Sequence, residues 1–180
     1  MAIFEQRVLG TLIAVAALAI AVAGCGGDSS SDANEPEASK TFLIKGKANT
    51  IVKFGEEADE DEREAASEVL EENMVAREAH DLEVQCSSLS DGAVKRAEEE
   101  AAVWEPGTGC EPNLKELGTP WSITKEIREN TMTGPIDALR VKADRGWALY
   151  HGAGGKNYAI KMEKDGDEWK VDSLTTTELR

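Results

Sequence analysis

The dipeptide Gly134-Pro135 separates two hydrophobic periodicities, and this change limits the folds open to the chain more than any other feature. Ahead of it, apolar residues recur at helical spacing. Between about Asp61 and His80, residues Ala65, Ala66, Val69, Leu70 and Met74 fall within one half-turn of a helical wheel, with Glu64, Glu68, Glu71 and Glu78 opposite. Arg77 lies inside that apolar stripe, where it either snorkels or pairs with a buried acid. Leu82, Cys86 and Leu89 continue at i, i+4, i+7. Ser90-Asp91-Gly92 then reads as a break and N-cap for a segment carrying Val94, Ala97, Ala101 and Trp104 on one face, ended by Pro106-Gly-Thr-Gly109. Cys110 opens a short helix with Pro112 near its start and Gly118 as its stop. Thr119-Pro120-Trp121 starts another, carrying Ile123 and Ile127.

After Gly134-Pro135 the pattern alternates. Runs at 136–143, 147–151, 156–164 and 168–174 are separated by the turn signals Asp144-Arg-Gly146, Gly152-Ala-Gly-Gly155 and Asp165-Gly166. Tyr158, Ile160 and Met162 alternate with Ala159, Lys161 and Glu163, and Trp169 and Val171 with Lys170 and Asp172. This spacing predicts an antiparallel meander of four strands, or a larger sheet containing it, with one covered face. The fold class is therefore α+β: helices over about 56–130 packed on a curved sheet over about 136–174. Two short β-prone runs at 42–45 and 50–54 fit a hairpin, a lead-in strand or an irregular arm.

The 180 residues include 35 Asp+Glu against 20 Lys+Arg, a formal net charge of −15. A phosphate backbone is held by neutralising cations, so general nucleic-acid binding is excluded. The charge is uneven: 56–105 holds 18 acids and 4 bases, whereas 106–180 holds 12 and 11.

The N-terminus carries Arg7 and then an apolar run of 16 residues, Val8 to Ala23, short for a bilayer span of roughly 20 and suited to the core of a secretion signal. It ends in Val22-Ala-Gly-Cys25, which resembles the lipobox of bacterial lipoproteins. The resemblance implies a signal peptide over 1–24 and a mature chain beginning at a Cys25 that carries diacylglycerol and a fatty acyl group such as palmitate. Membrane lipid is then a partner, and the protein sits on the outer face of the cell membrane or the periplasmic side of an envelope membrane. Residues 26–40 lack large apolar side chains and read as a flexible tether, so 41–180 forms the single folded domain. Cys86 and Cys110 remain as an even pair in an exported chain, which predicts a disulfide.

Helices followed by a curved antiparallel sheet resemble the nuclear transport factor 2-like (SnoaL-like) cone. Lys53-Phe-Gly-Glu-Glu-Ala58, Glu62-Arg-Glu-Ala-Ala-Ser67, Gln85-Cys86, Gly134-Pro-Ile-Asp-Ala-Leu-Arg140, Ala148-Leu-Tyr-His-Gly152 and Trp169-Lys-Val171 look like small bacterial lipoproteins of unassigned function with that fold. The resemblance brings no catalytic motif, and fold alone licenses no activity.

Other chemistry is sparse. Gly152-Ala-Gly-Gly-Lys156 departs from a phosphate loop, with Tyr150 at the first glycine position, Asn157 for Ser/Thr and a strand where a helix should follow. Seven acids from Glu56 to Glu64 suit a solvated first helical turn, lacking the alternating acids and central Gly of a calcium loop. No metal or cofactor motif is present. The acid/base candidates are His80, Asp81, Tyr150 and His151; strand alternation puts Tyr150 and His151 on opposite faces, so at most one lines an interior. The readings are a non-enzymatic binding or envelope-interaction module, whose partner is a small apolar ligand or an envelope protein; a cone enzyme acting on a small apolar substrate; and a binder of cations or basic partners through the acidic helices. A cavity closed around a buried His or Asp favours the enzyme. An interior plugged by Trp147, Tyr158 and Trp169 favours the binder.

Overall fold

The computed structural model describes residues 49–118 and 121–179, with side chains from 125 onward in the helix that begins at Trp121. The expectations for the leader, Cys25, the tether and the run at 42–45 lie outside the described residues. Among those described, no helix is long and apolar enough to cross a membrane.

Helix starts follow side-chain caps. Asp59 accepts from the Glu62 amide at 2.9 Å and opens α2 (Glu60–Ala79), after a short α1 (Asn49–Val52) and β1 (Glu56–Glu57). Asp81 opens α3 (Leu82–Ser87), and Ser90 opens α4 (Asp91–Ala101). Helices α5 (Cys110–Leu117) and α6 (Trp121–Asn130) follow. Cys86 and Cys110 are joined, tying α3 to α5. The sheet is antiparallel throughout, in the order β1, β2 (Ala138–Lys142), β3 (Arg145–His151), β4 (Asn157–Asp165), β5 (Glu168–Val171), with β6 (Thr177–Leu179) also on β4.

Leu139, Ala148, Tyr150, Tyr158, Ile160, Met162, Trp169 and Val171 pack beneath Ala66, Leu70 and Met74 of α2 and Ala93 and Ala97 of α4. The helical half and the sheet half thus share one core.

The structure corrects the sequence reading in several places. The sheet, expected with four strands or more, has six among the described residues, but its second face is not bare: Val52, Ala138, Leu149, Ala159 and Leu179 cover part of it, with Ile51 and Trp147 against them. Trp147 packs on that second face, with the Lys161 ammonium 5.7 Å from its ring centroid, so of Trp147, Tyr158 and Trp169 only the last two fill the side under α2 and α4. Residues 49–52 form a helical turn, and 56–57, counted with the helices, form an edge strand. Trp104, placed on the packing face of its helix, is 57% exposed. The chain tightens to a 3₁₀ turn at Ala102–Trp104, and the change from 3.6 to about 3 residues per turn rotates Trp104 off that face.

Two irregularities shape the ends of the sheet. Gly55 has φ +51 and lies against β2, where a Cβ would come 1.9 Å from the Val141 carbonyl oxygen, so only glycine fits. The Arg140 guanidinium, 4% exposed, holds this arm by donating to the carbonyls of Phe54 (3.0 Å) and Gly55 (2.8 Å) and to Glu57 Oε2 (2.9 Å). At the far edge, β5 and β6 both pair with β4: Val171 lies opposite Met162, and Thr177 opposite Ala159. The five residues 172–176 thus span only 160 and 161, and the excess bulges away from the sheet.

Candidate functional site

That bulge forms one wall of a cleft of about 600 Å³. The other walls come from the α2–α3 joint, α5 and the last turn of α6. His80, at φ +57, ends α2 with a left-handed residue, the Asp81 amide returns to the Ala76 carbonyl at 2.8 Å, and Asp81 at once caps α3. The sharp joint brings Arg77 and His80 beside Leu82 and Gln85. Leu114, Lys115 and Leu117 face them from α5, Glu126, Ile127 and Asn130 from α6, Glu100 from α4, and Leu174, Thr175 and Thr176 from the bulge. The disulfide links the two walls on which Gln85 and Leu114 lie.

The polar groups are unevenly placed. Asn130 is buried; turned so that no like groups face, its amide donates to the Ile127 carbonyl at 2.8 Å and accepts from the Thr176 hydroxyl at 3.0 Å. Arg77 is half-buried, and its guanidinium forms neither a hydrogen bond nor an ion pair with any described residue. Burial lowers its pKa from the ordinary value, opposed by the nearby Tyr150 phenol and Glu126 carboxylate, and an arginine keeps its charge across the physiological range. Behind it the Tyr150 hydroxyl is sealed and makes no hydrogen bond. The Thr176 hydroxyl is near enough to favour the phenolate slightly, yet no bond of normal geometry joins them, and burial drives the Tyr150 pKa up.

The sequence candidates separate. His80 lines the cleft and is exposed at its rim. Asp81 spends Oδ1 on the Val84 amide at 3.2 Å. Tyr150 lies behind the floor. His151 stands apart from the cleft, with Nδ1 2.6 Å from Asn157 Oδ1 and Nε2 3.6 Å from Asp137 Oδ1. Burial raises the Asp137 pKa, opposed by His151. The glycine run after His151 is a hairpin turn, with the Gly152 amide donating to the Lys156 carbonyl at 2.9 Å and Lys156 paired to Glu178 at 2.8 Å. Of the acid cluster, Asp59 is the α2 cap, Glu57 holds Arg140, and Glu62 pairs with Lys164; among the described residues no group of three or more His, Cys, Asp or Glu could hold a metal ion.

Reading the sequence alone missed the cleft because the bulge that closes it, Asp172-Ser-Leu-Thr-Thr176, continues an alternating strand without a Gly or Pro. The signal present was Arg77 itself, a cation in an apolar stripe. No protein-family model, curated protein or solved structure matches this chain.

Proposed function

We propose that this chain is an exported lipoprotein, held to a membrane through acylated Cys25, whose domain is a binding module taking a small, largely apolar molecule in the cleft. The observation that carries the reading is the cleft: about 600 Å³, within the roughly 300–1,000 Å³ of small-molecule sites, with Leu82, Leu114, Leu117, Ile127 and Leu174 supplying apolar surface among charged and polar neighbours. The helices-then-sheet order and the residues quoted above support a nuclear transport factor 2-like arrangement for the domain. The acid/base alternative draws less support, since His151 lies apart from the cleft, Tyr150 behind its floor, Asp81 caps a helix, and His80, though on the cleft wall, is exposed rather than buried.

Nile red should saturate at one equivalent per chain, and Leu117→Trp, which enlarges a half-buried side chain on the cleft wall, should abolish that signal, with a melting curve showing that the variant is folded. Saturation unchanged in the Trp variant overturns the binding reading. For the anchor, Cys25→Ser should move the protein from the membrane fraction to the soluble one; retention with an intact N-terminus counts against it.

A further inference from the structure

We propose that the cleft is selective for amphipathic monocarboxylates, an apolar tail lying against Leu82, Leu114 and Ile127 and the carboxylate meeting the Arg77 guanidinium. This rests on the binding reading above and names its ligand class. A guanidinium carries five donors in a planar fork and is costly to withdraw from water without a counter-charge. Arg140 obeys that rule in the same molecule, with three protein acceptors around it. Arg77 has none among the described residues, although burial already disfavours its charge. The nearest acid on the cleft wall, Glu126, is exposed and forms no ion pair with it. The buried group behind Arg77 is the neutral Tyr150 phenol, which supplies no negative charge. Beside Leu82, Leu114 and Ile127 the cleft thus presents a cation that no described residue hydrogen-bonds and that Glu126 offsets only from a distance, and its fork matches a carboxylate in bidentate geometry.

The test uses the full chain in nanodiscs, with titrations into empty nanodiscs subtracted, and compares octanoate, octanol, octyltrimethylammonium and acetate by calorimetry. Octanoate should bind about tenfold or more tighter than octanol, the usual gain of a charge-assisted bond over a neutral one. Octyltrimethylammonium should be weakest of the three tailed ligands, and acetate, a head without a tail, should not register. Arg77→Met should erase the advantage of octanoate and leave octanol unchanged, with a melting curve showing that the variant is folded. Glu126→Gln should tighten octanoate alone by removing a competing acid. Equal binding of octanoate and octanol, or an advantage that survives Arg77→Met, overturns the carboxylate assignment while leaving the binding module standing. Failure of every tailed ligand to bind overturns the module itself.

Discussion

Two arginines withdrawn from water show how the ends of this domain differ. Arg140 lies under the β1 arm with Glu57 and two backbone carbonyls around its guanidinium. Arg77 lines the cleft with no such partner among the described residues. The first end is closed: each donor contact made there orders the chain, and Gly55 permits the close approach. The second end spends none of its cation's bonding capacity on the fold, leaving it for something that is not part of the chain. Burial of a charge is thus evidence of architecture at one end and of recognition at the other.

The contrast predicts a large difference in stability. Arg140→Met strands Glu57 and two carbonyls and should cost about 3–5 kcal/mol in urea unfolding, whereas Arg77→Met should stay within about 1 kcal/mol of the parent, since no native bond is lost. Equal losses would erase the distinction. Next in size, reducing the Cys86–Cys110 bond frees a loop with a sequence separation of 24 and should cost about 3.5 kcal/mol on the chain-entropy model. The same reduction should weaken Nile red binding, since the bond ties two cleft walls. Third, Tyr150→Phe removes a sealed hydroxyl that makes no bond and should raise stability by about 1 kcal/mol, against the usual direction for a core substitution.

The smallest effect is a pH dependence. Burial raises the pKa of Tyr150 and Tyr158, the two tyrosines of the chain. The folded state therefore holds the phenolic protons more tightly than the unfolded state, so stability falls as pH rises above about 10. Absorbance near 295 nm should show tyrosinate appearing together with loss of the fold rather than before it.

Much of the scaffold was legible in the sequence because its signals are local. Asp59 and Ser90 cap the helices they precede, and the turns at Asp144, Gly152–Gly155 and Asp165-Gly166 punctuate an alternation that the β2–β5 register follows. What escaped depends on distant partners. Glu56 and Glu57 have no strand pattern of their own and are a strand because Arg140 and Val141, more than eighty residues away, receive them. Strand β6 exists because β4 is long enough to hold two partners on one edge, and the cleft because the chain between them is too long for the gap. Hydrophobic spacing marked Arg77 as anomalous, but whether it had a partner was a question only the fold could answer.

The bond between Cys86 and Cys110 has a thermodynamic consequence beyond stiffening. It links two walls of the cleft, so the redox state of the thiols and the occupancy of the cleft belong to one linked equilibrium. Whatever factor the bond adds to ligand affinity, a bound ligand returns to the bond as resistance to reduction. An occupied domain should lower the reduction potential of its own disulfide, and saturating octanoate should make that shift measurable in a dithiol redox buffer.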